Sequence, residues 1–212
     1  MHSVTALLQI RISTHMRKIY YDILSKEDLA ALDAYCRKED NWTTLEGGEK
    51  ETIYKNNYNK VVDQDIVEIV NKINNAIAFY TDDAKNKLGW QTILARFRGN
   101  SKPQPREGIF WDDEYWSMNP HSDTSCNHAE NAVNCCTAAA IVQGAVFYIN
   151  DDYDGGEIEY IKDGFSFKPL ANSLAIHDAD LIHGVRRVSN GDRYTFPCFI
   201  YDTDKIKNIA VN

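Results

Sequence analysis

Between residues 90 and 202 the chain is a succession of short apolar runs, each ended by turn residues. They are WQTILARFR (90–98), TAAAIVQGAVFYIN (137–150), GEIEYI (156–161), FSFKPL (165–170), SLAIHDA (173–179), HGVRRV (183–188) and RYTFPCFIYD (193–202). Runs of this length, rich in β-branched and aromatic residues, form antiparallel strands, and so many of them bury their apolar faces only as a sandwich or barrel. Two turns are legible: the Gly-Gly of DDYDGGE (151–157), and SNGD (189–192), whose Asn190-Gly191 is the strongest short hairpin signal. Pro197 inside RYTFPCFIYD weakens that run as a central strand, because proline cannot complete a hydrogen-bond ladder.

Upstream the pattern is different. KIYYDIL (18–24) has strand composition, and SKEDLAALDAYCRKED follows as a helix with Ser25 as N-cap and Asp28 at the acidic third position. A second helix is predicted over DQDIVEIVNKINNAIAFYTDDAKNKLG. It places Ile66, Ile69, Val70, Ile73, Ile77 and Tyr80 at three-to-four-residue steps and stops near Gly89. Both helices can cover one face of a sheet. The expected class is α+β, mainly β: a single domain over 16–212, with residues 1–15 as a leader whose order the sequence does not specify. There is no internal repeat.

Composition removes several classes of partner. The chain has 212 residues with 43 % hydrophobic and 11 % aromatic content, enough to fill a core. Its net charge of −8 opposes an extended interface with nucleic acid, which needs an attracting positive field. No apolar run approaches a membrane span, and the first residues lack the pattern of a secretory signal, so a cytoplasmic location is expected. Five cysteines, in no framework spacing, read as reduced thiols. A zinc site from Cys126, His128, Cys135 and Cys136 lacks the usual two-residue spacing.

The chemistry starts at His121-Ser122-Asp123. In a strand, residues i and i+2 share a face, so the imidazole and the carboxylate can hold one cation. His183, sixty residues on, supplies a third ligand after several intervening strands. Two histidines and one carboxylate form the facial triad that suits Fe(II) and leaves positions open for a co-substrate and dioxygen. In LIHGVRRVSNGDRY (181–194), a hairpin at Asn190-Gly191 would put Arg193 on the strand beside His183, where its fork could grip a carboxylate. Arg193, Thr195 and Pro197 then share one face, and Tyr194, Phe196 and Cys198 the other. Arg186 and Arg187 have no fixed relation to the site and read as a solvated rim.

PHSD (120–123), FYINDDYDGGEIEY (147–160) and HGVRRVSNGDRYT (183–195) together resemble the Fe(II)/2-oxoglutarate-dependent dioxygenases of the prolyl 4-hydroxylase type, in order and approximate spacing. KIYYDILSKEDLAAL is similar to that family's opening strand and helix, so the resemblance covers most of the chain. It implies a double-stranded β-helix, or jelly roll, with N-terminal helices packed on one sheet. It also implies iron held by His121, Asp123 and His183, and 2-oxoglutarate held at its distal carboxylate by Arg193 and Tyr148, with Thr195 beside them. The implied activity is hydroxylation of an unactivated carbon with O2 as co-substrate and succinate and CO2 as co-products. A prolyl residue in a peptide or protein is the first substrate class, and a free amino acid or small metabolite the second.

The sequence departs from that family in places. The 99–120 stretch is longer than the usual link and is rich in proline and aromatic residues, which reads either as a substrate lid or as a loop folded on its own rings. CNHAENAVNCC (126–136) is a further insertion. The acidic segments DDE (112–114) and DDYD (151–154) read either as attractors of a basic peptide or as solvated loops. Two other readings compete. An alkylation-repair dioxygenase is opposed by the negative charge and by the lack of a second arginine after Arg193. A non-catalytic, cupin-like metal-binding or sensing protein would bring more histidines to its metal and leave Arg193 nothing to hold.

Overall fold

The computed structural model describes residues 8–9, 17–38, 42–44, 51–53, 64–81, 89–90, 94–99, 115–124, 140–202 and 204. The leader except 8–9, most of the 99–120 stretch, the DDE segment and the cysteine-rich 126–136 insertion lie outside them. Within them the chain is mainly β, with two helices.

The elements in chain order are β1 (Leu8–Gln9), β2 (Arg17–Tyr21), α1 (Lys26–Cys36), β3 (Thr43–Thr44), β4 (Glu51–Ile53), α2 (Gln64–Tyr80), β5 (Gly89–Trp90), β6 (Leu94–Arg98) and β7 (Trp116–His121). There follow β8 (Ile141–Tyr148), β9 (Asp154–Gly155), β10 (Ile158–Tyr160), β11 (Phe165–Phe167), β12 (Ser173–Asp178), β13 (His183–Arg186), β14 (Val188–Asn190) and β15 (Asp192–Tyr201). Among the described residues the larger sheet runs β1-β2-β12-β8-β15-β6-β4-β3, with β5 also on β15, and the smaller runs β11-β10-β13-β7. Every pairing is antiparallel. From β6 onward the chain alternates between the two sheets: β6, β8, β12 and β15 enter the larger, β7, β10, β11 and β13 the smaller.

Strand parity divides the core into two layers. Leu174 and Ile176 of β12, Phe147 of β8, and Tyr194, Phe196 and Cys198 of β15 meet Leu32, Ile69, Ile73 and Ile77 of the helices. The opposite faces carry Ile19, Tyr148 and Ala175, which meet Ile158, Tyr160 and Val185 of the smaller sheet. The helices therefore pack on the outside of the larger sheet and leave the space between the sheets for other groups. Ser25 caps α1, its Oγ accepting from the Asp28 N–H at 3.1 Å. α2 stops at Tyr80 and not near Gly89, which is already paired to β15. At that end the Thr81 hydroxyl donates back to Ile77 O at 2.9 Å, a local bond that competes with helix continuation.

Two expectations about β15 are corrected. Asn190-Gly191 makes no hairpin: β13 pairs with β10 and β7, whereas β15 lies between β8 and β6 in the other sheet. The turn, with Gly191 at φ 70°, is a corner where the chain crosses from one sheet to the other. Nor does Pro197 end the strand. The Ile149 N–H donates to Tyr194 O, so even positions of β15 turn their backbone polar groups to β8 and odd positions turn theirs away. On that far side β6 pairs with 192–195 and β5 with 199–200, and among the described residues position 197 falls between them. Among the described residues the missing N–H therefore costs no ladder bond.

Candidate metal centre

His121 ends β7 and His183 begins β13, and the two residues are cross-strand partners. Each ring is oriented by its own backbone: His121 Nδ1 lies 2.8 Å from Asn119 O, and His183 Nδ1 lies 2.9 Å from Leu181 O. These bonds place the proton on Nδ1 and leave both Nε2 atoms as acceptors facing inward. Asp123 reaches them from beyond the strand end. It sits in a turn fixed by its N–H, which donates to Ala179 O at 2.9 Å. The sharing of a strand face by i and i+2 is therefore not what brings His121 and Asp123 together.

The ligand atoms of His121, Asp123 and His183 all lie within 4.8 Å of one another. Asp123 Oδ1 is 3.7 Å from His121 Nε2 and 3.9 Å from His183 Nε2. Burial opposes the charge on Asp123, but a hydrogen bond with His177 and the neighbouring imidazoles prevail and hold its carboxyl below the usual range. Burial, with His177 adding to it, pushes the His183 imidazole down to about 3. A charged carboxylate beside the neutral His183 imidazole and a second ring whose Nε2 faces inward is a donor set that suits a divalent metal.

Two residues of this site escaped the sequence reading. His177 of β12 is buried, with Nε2 3.3 Å from Asp123 Oδ2. Gly144 of β8 is its cross-strand partner, and a Cβ there would stand 2.7 Å from His177 Nε2 and closer still to Asp123 Oδ2. The carboxylate rests against bare backbone.

Deeper between the sheets is Arg193, only 2 % exposed. Its guanidinium lies 5.2 Å from the Tyr148 ring and 5.4 Å from the Phe97 ring, and no carboxylate pairs with it among the described residues. Its Nε has no hydrogen-bond partner. A buried cation without a counter-ion is costly and calls for an anionic ligand. Burial pushes the Tyr148 phenol up, against the pull of Arg193, so it stays protonated as a donor. Thr195 is buried directly opposite Tyr148 in the ladder.

Solved structures of similar fold are informative beside this geometry. A prolyl-4-hydroxylase from Pseudomonas putida superposes at TM-score 0.59 with 15 % identity, over 89 % of this chain and 93 % of that one. The viral collagen prolyl hydroxylase of Paramecium bursaria Chlorella virus-1, solved as its 2-oxoglutarate complex, gives 0.53 and 12 % over 87 % and 94 %. The Trichoplax adhaerens prolyl hydroxylase, solved with a hypoxia-inducible-factor peptide fragment, gives 0.58 and 10 % over 91 % and 86 %. The chain shares the prolyl hydroxylase fold. No protein-family model and no curated protein matches the sequence.

The surroundings of the prolyl hydroxylase-like core bear on two of the sequence readings. Asp152 of the DDYD segment pairs with Arg37 at 2.9 Å, Asp151 accepts from the Ala171 N–H at 3.1 Å and Asp154 from Asn190 at 3.2 Å. These carboxylates hold their own loop. Arg186 is not a free rim charge: it stacks on Tyr115 at 3.6 Å to the ring centroid and pairs with Glu159. The described end of the aromatic stretch, Tyr115 and Trp116, thus packs against β13. Among the described residues Cys36 and Cys198 are free thiols, and no helix is long and apolar enough to cross a membrane.

Proposed function

We propose that the chain is an Fe(II)- and 2-oxoglutarate-dependent oxygenase that hydroxylates an unactivated carbon, with a prolyl residue in a peptide or protein as its first substrate class. The single observation that carries this reading is a His-Asp-His cluster in the same inter-sheet space as a buried arginine that pairs with no carboxylate among the described residues. A cupin-like binding protein accounts for the cluster but not for Arg193. The alternation of strands between the sheets supports a double-stranded β-helix.

The residues fit the group. His121 and His183 would hold iron through Nε2 and Asp123 through Oδ1, while Arg193 would anchor the distal carboxylate of 2-oxoglutarate. Tyr148 would donate its O–H to the same carboxylate, and Thr195 would add a hydroxyl beside it. When bound, the metal couples decarboxylation of 2-oxoglutarate to succinate with transfer of one atom of O2 to a carbon–hydrogen bond. The protein's part is orientation and exclusion of water: His183, Arg193, Tyr148 and Thr195 are all buried.

The test is optical. Anaerobic protein loaded with Fe(II) should develop a visible charge-transfer band on addition of 2-oxoglutarate, and its absence with iron demonstrably bound would overturn the assignment. Arg193→Ala should weaken 2-oxoglutarate by about 2–5 kcal/mol while iron binding survives. Equal loss of both ligands would make the arginine structural. Succinate release across proline-containing peptides and free amino acids then separates the substrate classes.

A further inference from the structure

We propose that His177 is a positioning residue: its Nε2–H donates to Asp123 Oδ2, so that the carboxylate presents Oδ1 alone to the metal. This rests on the metal-centre reading above and assigns to His177 a role the triad does not contain.

The two oxygens of Asp123 face different neighbours. Oδ1 is the one near both ligand imidazoles, at 3.7 and 3.9 Å from their Nε2 atoms. Oδ2 points the other way, to His177 Nε2 at 3.3 Å. A carboxylate left to itself can rotate and offer either oxygen or both, and a donor fixed on one of them removes that freedom. Gly144 closes the remaining side, since any Cβ there would fill the place of Oδ2.

The donor is itself oriented. Tyr160 Oη lies 3.3 Å from His177 Nδ1. A phenol held protonated by burial donates its O–H to Nδ1, which puts the imidazole proton on Nε2, where Asp123 needs it. Tyr160 is fixed in turn by Arg17, whose guanidinium lies 4.7 Å from its ring centroid and is held by Asp163. The relay runs from β2 through β10 and β12 to the turn carrying Asp123, and links the two sheets behind the ligands. His177 is buried at 3 % exposure, and both its nitrogens have partners within this relay.

The experiment titrates Co(II) into the purified full-length protein and follows both affinity and the visible ligand-field spectrum. His177→Phe keeps the ring volume and removes the donor; it should weaken Co(II) about 10- to 100-fold and alter the spectrum. His177→Gln returns an N–H at the end of the side chain and should recover most of the affinity. Tyr160→Phe, which keeps His177 but frees its tautomer, should show a smaller loss in the same direction. Wild-type affinity and spectrum in His177→Phe would overturn the proposal, and so would equal losses in Phe and Gln variants, which would make His177 a ligand. If wild-type protein binds Co(II) and Asp123→Ala abolishes it while His177→Phe is silent, the centre stands and only the positioning role falls. If wild-type protein binds no Co(II), the centre itself falls.

Discussion

The absence of a side chain at one position shapes the whole centre. Gly144→Ala adds a single methyl where Asp123 and His177 meet. Alanine is tolerated in a strand, so the fold should persist while Co(II) affinity drops at least tenfold, as read by titration beside a thermal melt. His183 carries a pH signature of its own. The folded-state pKa of His183 is depressed to about 3 from an unfolded value near 6.5, so between those limits the unfolded chain binds a proton that the native state refuses. Stability of the metal-free protein should therefore be full above pH 6.5 and fall by up to about 1.4 kcal/mol per pH unit as the pH drops toward 3. Asp123, whose carboxyl is lowered, adds loss only as the pH falls below about 3.8. Urea midpoints at pH 7.5, 5.5 and 4.5 should show the slope in wild type and a flatter profile in His183→Asn. His121, Asp123, His183 and Arg193 were legible because their residue types and order carry the pattern. His177 and Gly144 were not, since their meeting depends on a register between β12 and β8 that no local spacing states.

At the scale of elements, periodicity served well and turn chemistry less so. α1 with its Ser25 cap, the buried stripe of α2 and the alternation of β15 follow from local pattern. Asn190-Gly191 misled because the dipeptide specifies a tight reversal, not which strands pair across it. Here β14 pairs with β9, and the chain then leaves for the other sheet. Pro197 misled for a related reason: the rule against proline assumes a partner on both sides, and its outward side lies between β6 and β5. Pro197→Val should accordingly change unfolding free energy by less than about 1 kcal/mol, and leave 2-oxoglutarate binding intact, because residue 197 shares its strand with Arg193 but not its contacts. A loss above 3 kcal/mol in chemical denaturation would show that the proline is essential to the strand.

On the scale of the molecule, stability and chemistry occupy different layers. The helices and the outer face of the larger sheet form one apolar mass, with Ile73 fully buried at its centre. Ile73→Ala should cost about 2–5 kcal/mol. The residual folded protein should bind Co(II) with wild-type affinity, since no ligand belongs to that layer; calorimetry and titration on one sample check both.

The corner at Gly191 has a further consequence. Because it separates His183 and Arg193 onto facing sheets, the metal cluster and the buried cation belong to opposite walls of the sandwich. Facing sheets stand about 10 Å apart, a spacing set by the side chains packed between them. On the proposed reading the two sheets would act as a calliper: a dianion gripped at both walls is selected by its length, and a homologue one carbon shorter should bind more weakly in a direct titration.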